Sequence, residues 1–128
     1  MKKVITTDQA PNALGPYSQA IISSKNGMVY TAGQIGINPG TGEIVQGGIK
    51  EQTKQVLLNL RAILEASGSK LDNIVKTTVF LNNMNDFADM NEVYGTFFPE
   101  NPPARSTVEV TKLPKDAKVE IEAVALIT

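Results

Sequence analysis

Arg105 follows Pro102-Pro103-Ala104 and opens a stretch, Ser106-Thr107-Val108, rich in β-branched residues. The prolines restrict the backbone before it. Its guanidinium can meet a carboxylate through two parallel hydrogen bonds, a geometry that lysine cannot reproduce. The plainer alternative is a structural ion pair with Glu109, Glu120 or Glu122, and spacing alone favours that alternative. Glu120 and Glu122 alternate with Val119, Ile121 and Ala123, so both carboxylates share one face of a strand, where most glutamates simply meet water. Tyr17, in Gly15-Pro16-Tyr17-Ser18, is a third candidate, with packing and a satisfied hydroxyl as its plainer role. Asn91 and Glu92 fall mid-helix, where solvation accounts for them. Arg61, the other arginine, has polar neighbours and reads as a solvated surface residue. Gly33-Gln34-Ile35-Gly36 lacks the spacing and the following helix of a phosphate cradle. These residues leave a carboxylate-binding pocket as one possibility among several.

The elements that must position them follow from periodicity. Lys25-Asn26-Gly27 between Ala20–Ser24 and Met28–Ala32 signals a tight hairpin, and Pro39-Gly40-Thr41-Gly42 a second turn. Ile49, Thr53, Val56, Leu57, Leu60 and Leu64 recur at spacings of three and four, one face of an amphipathic helix that Gly68 can stop. Ile74–Leu81 reads as a strand. A second helix gathers Phe87, Met90, Tyr94, Phe97 and Phe98 on one face and ends before Pro99, with Asn83 or Asn85 as its cap. Asp86 and Asp89 suit the positive end of its dipole. Segments 106–110 and 118–127 complete a strands-helix-strand-helix-strands order. That is an α+β domain, residues 1–128, with helices on one side of a sheet.

Composition removes several chemistries. The chain has 128 residues with no cysteine and no histidine. Disulfides, thiolate nucleophiles, the usual general base and the commonest zinc ligands are therefore excluded. The net charge is −1 with no basic run, so nucleic acid is not an expected partner. No segment has the apolar length of a membrane span or a signal peptide, and the expected location is the cytoplasm.

Taken in order, the motifs resemble those of the RidA (YjgF-like) imine deaminase family. They are Ala10-Pro11, Gly15-Pro16-Tyr17-Ser18-Gln19, Gly33-Gln34-Ile35, Thr41-Gly42-Glu43-Ile44, Val75–Leu81, Asn91-Glu92-Val93-Tyr94, Pro103–Val110, Leu113-Pro114-Lys115-Asp116 and Val119-Glu120-Ile121-Glu122. The resemblance implies a chorismate-mutase-like fold and a homotrimer with sites in clefts between subunits. It also implies hydrolysis of short 2-imino acids to 2-keto acids and ammonia, with no metal or cofactor. Carried over by position, Arg105 would bind the carboxylate and Glu120 would handle water. Tyr17, Asn91 and Ser106 would line the pocket, and Gly33 would allow close backbone approach. Ala32 stands where many members have serine, Gly36 where proline is frequent and Thr111 where alanine is frequent. The alternatives are a non-catalytic trimeric regulator that binds small carboxylates, and an endoribonuclease or translation inhibitor.

Overall fold

Residues 1–128 are described by a computed structural model. The alternation of buried and exposed side chains along the last strand organises the molecule. In β8 (Val119–Leu126), Val119, Ile121, Ala123 and Ala125 are buried while the residues between them are not. Strand side chains point alternately to opposite faces, so one face of β8 is core and the other is open. β8 lies inside a six-stranded sheet of order β1-β2-β3-β8-β6-β7, where β1 is Lys2–Ile5, β2 Ala20–Ser23, β3 Met28–Thr31, β6 Ile74–Leu81 and β7 Ala104–Glu109. All pairings are antiparallel except β6 with β7. A small hairpin, β4 (Ile37–Asn38) and β5 (Glu43–Ile44), stands apart, its turn carrying Gly42 at φ 75°.

Both helices cover the core face. The apolar stripe of α1 (Ile49–Ala66) buries Val56, Leu57, Leu60, Ile63 and Leu64 against Val29, Val79, Ile121 and Ala123. The helix ends as expected, with Gly68 at φ 79° donating its N–H to the Glu65 carbonyl. In α2 (Phe87–Phe97), Met90 and Tyr94 are buried. Phe87, expected on the same buried face, is 37% exposed. Asn83 caps the short turn before α2 by accepting from the Asn85 N–H, and Asp86 is the residue at the α2 N-cap itself. The edge strand β1, with two lysines and no alternation of its own, was not expected; its pairing to β2 defines it.

The open face carries no helix. A second, smaller core of Ile35, Ile37, Leu113 and Ala117, packed against Phe80 and Val110, covers one end of it. Elsewhere Val4, Tyr30, Val108 and Leu126 are 42–54% exposed, and strand register places all four on this face.

Candidate functional site

Register decides which site residues can meet. Arg105 pairs with Thr77, whose hydroxyl is buried against Tyr94, so Arg105 points to the helix side of the sheet. Its guanidinium carbon lies 4.8 Å from the Tyr94 ring centre and 5.5 Å from that of Phe87. Both distances are within cation–π range. Thr77 and the Tyr94 hydroxyl share a 2.8 Å hydrogen bond that fixes the ring. Burial raises the Tyr94 pKa, opposed by Thr77 and Arg105, so the hydroxyl stays protonated. The ion pair favoured by spacing is not formed: the salt bridges of the chain are Lys50–Glu92 and Lys112–Asp116. Glu109 instead accepts from the Met84 N–H at 2.7 Å, and Glu120 and Glu122 face the other side of the sheet. No carboxylate of the chain therefore occupies the guanidinium fork. Asn91, Pro102 and Pro103 line the same cleft, and the Asn91 side-chain carbonyl is buried there without a hydrogen-bond partner.

Glu120 pairs with Phe80 across β8 and β6, which puts it on the open face. It stands in a cleft of about 160 Å³ with Tyr17, Gly33, Ile35 and Pro114. An engineered apolar cavity of about 150 Å³ holds benzene, so six or seven non-hydrogen atoms fit. Gly33 lets the Glu120 side chain lie against the loop backbone: a side-chain carbon on it would come within 2.8 Å of the Glu120 carboxyl carbon and closer still to an oxygen, so the carboxylate would have to swing aside. The backbone pair Gln34–Ile121, at 2.9 and 3.1 Å, holds this loop to β8. Burial raises the Glu120 pKa, and the neighbouring charge of Glu122 adds to the effect. The Tyr17 hydroxyl accepts the Leu14 N–H at 3.0 Å, which leaves its proton for another acceptor.

Thus Tyr17, Gly33 and Glu120 come together on one side of the sheet, and Arg105 and Asn91 on the other. Ser106 joins neither group. It follows Arg105 in β7, points to the open face and accepts from Lys76 Nζ at 3.1 Å. Sequence reasoning missed Tyr94 and Phe87 as the walls of the arginine, having read both as core. It also passed over the buried amides Gln52 and Asn59, although two polar residues on an apolar helical stripe were the signal. No cluster of three or more acidic side chains suited to a metal ion exists, and no helix is long and apolar enough to cross a membrane.

The comparisons with known proteins identify the family and the fold. The family described as Endoribonuclease L-PSP matches residues 7–127. A RutC family protein of Pyrococcus horikoshii is 58% identical over 125 residues, covering 98% of each chain. The 2-iminobutanoate/2-iminopropanoate deaminase of Rattus norvegicus is 48% identical over 126 residues, covering 98% of this chain and 90% of the relative. The crystal structure of YyfA from Yersinia pestis, of the conserved Rid protein family, superposes with a TM-score of 0.94 at 50% identity, covering 99% of this chain and 100% of the other. Two helices on a mixed sheet, an unpaired arginine and a glycine-backed glutamate thus meet on a chain that belongs to the RidA (YjgF-like) family.

Proposed function

We propose that the protein hydrolyses short 2-imino acids to 2-keto acids and ammonia, as a homotrimer whose sites are each shared by two chains. The observation that carries this reading is the division of the polar groups between the two faces of the sheet. On one side Arg105 has a fork that no carboxylate of the chain occupies, and on the other Glu120 has a raised pKa. A substrate of a few atoms cannot touch both within one chain. An open sheet face with exposed Val4, Tyr30, Val108 and Leu126 supplies the apolar surface on which a second copy can dock.

In the joined site Arg105 grips the substrate carboxylate bidentately and so fixes the imine carbon beside one water. Glu120 accepts a proton as the water oxygen bonds to that carbon, then returns it to the nitrogen. That gives a carbinolamine, whose hydroxyl proton Glu120 then carries to the nitrogen as the C–N bond breaks, releasing ammonia and leaving the keto group. An imine carbon is electrophilic enough that orientation and a proton path suffice, and no cofactor is needed. The name of the rat relative, 2-iminobutanoate/2-iminopropanoate deaminase, supports the substrate class. A nuclease reading has neither a histidine nor a basic surface to rest on.

Complementation tests both halves of the proposal. Arg105→Ala and Glu120→Gln are each expected to be nearly inactive in ammonia release from imine generated in situ by an amino-acid oxidase. Unfolded and refolded together, they should form mixed trimers in which some sites are intact, and activity should return. Two active single variants, or a mixture as inactive as its parts, would count against the shared site.

A further inference from the structure

Helix α1 carries two buried amides where its stripe is otherwise apolar. Gln52 is 5% exposed and Asn59 1% exposed, two turns apart. Burying an amide costs free energy unless its groups are bonded, so the partners show what these residues hold. Gln52 Oε1 accepts from the Lys118 N–H at 2.9 Å, two residues before Glu120. Asn59 Nδ2 donates to the Ile35 carbonyl at 3.2 Å and the Ile37 carbonyl at 2.9 Å, just after Gly33. Asn59 Oδ1 is itself held by Gln55 Nε2 at 2.8 Å. Between these anchors, Gly36 lies against the Gln52 backbone so closely that a side-chain carbon there would sit 3.1 Å from the Gln52 Cα.

We infer that Gln52 and Asn59 are positioning residues: from α1, without touching substrate, they set the spacing between the Gly33 loop and the Glu120 carboxylate. The inference rests on the reading of Glu120 as the group that handles water. Both walls of the cleft hang from one helix, and the Glu120 side chain lies so close to Gly33 that a side-chain carbon there would displace it. Loosening either anchor lets water reach Glu120 and widens the gap.

The test compares Gln52→Met, which fills the space but accepts no comparable hydrogen bond, with Gln52→Glu, which keeps an oxygen acceptor for Lys118. Asn59→Leu, which fills the space but donates to neither loop carbonyl, carries the test if Gln52→Met fails to fold. The first readout is the ¹³C NMR titration of the Glu120 carboxyl carbon, assigned with Glu120→Gln. The second is imine turnover alongside the Kd for 2-ketobutyrate. In Gln52→Met or Asn59→Leu the Glu120 titration should move down toward the ordinary glutamate range. Turnover should fall about tenfold or more, within the range set by misplaced groups, while Kd changes less than turnover. Gln52→Glu, which keeps the acceptor and adds a like charge, should show no such downward move. A folded Gln52→Met or Asn59→Leu with an unmoved titration overturns the inference, whatever its turnover. If the wild-type protein releases no ammonia, the deaminase reading fails, while the titration still judges the positioning.

Discussion

Arg105 is held by aromatic faces rather than by a carboxylate, and its predicted behaviour follows from that. Arg105→Lys retains the charge but loses both the planar fork and the stacking surface. Binding of 2-ketobutyrate by calorimetry should weaken about tenfold or more, the scale of losing one charge-assisted hydrogen bond of about 1.5–3 kcal/mol. Unchanged affinity would show that the guanidinium geometry is not used. For Glu120 the sign of the pH effect can be worked out. A base must be ionised to take a proton, and burial and Glu122 raise its pKa above the ordinary glutamate value of about 4.3. In the proposed shared site a bound substrate carboxylate would offset the charge of Arg105, so that rise should persist. Turnover should fall as pH drops through the raised value, and it should be flat there in Glu120→Gln at a tenth or less of the wild-type rate. A profile that keeps the same acid limb in Glu120→Gln would remove Glu120 from the proton path.

The elements were legible wherever the pattern was periodic. The spacing of Val56, Leu57, Leu60 and Leu64 gives α1 its buried stripe, and Leu60, fully buried in the main core, tests it. Leu60→Ala should cost about 2–5 kcal/mol, read by chemical denaturation; a cost below about 1 kcal/mol would mean that α1 is not packed as described. The alternation in β8 likewise places Glu120 and Glu122 together on one face, as the sequence pattern implies. Other features were not legible because they depend on partners distant in the chain. Alternation along β7 says that Arg105 and Ser106 face opposite ways, but only pairing with Thr77 and Thr78 says which way each faces. Phe87 has the right helical spacing for the core, yet it sits at the first turn of α2, beyond the sheet's cover, and meets Arg105 instead. The Arg105 ion pair looked plausible because Glu109, Glu120 and Glu122 all lie in strand-like segments that follow it. Strand register carries two of them to the other face and gives Glu109 to Met84.

At the scale of the whole molecule, the uncovered sheet face bears on assembly. Tyr30 is 42% exposed on that face, so Tyr30→Glu should leave the isolated fold intact while placing a charge where a second copy would pack. Sedimentation should give about three times the 13.8 kDa chain mass for the wild-type protein and a lower mass for the variant, with ammonia release lost in parallel. A variant that stays trimeric would move the interface elsewhere. The placement of Arg105 and Glu120 on opposite faces has a kinetic consequence as well. An enzyme with a complete site in each chain loses rate in simple proportion to its amount. In the proposed trimer, once the concentration nears its dissociation range, rate should fall with a higher power of the amount present, since a lone chain would offer an arginine without a base and a base without an arginine. Supply of the chain then sets both how many sites exist and whether any exist at all.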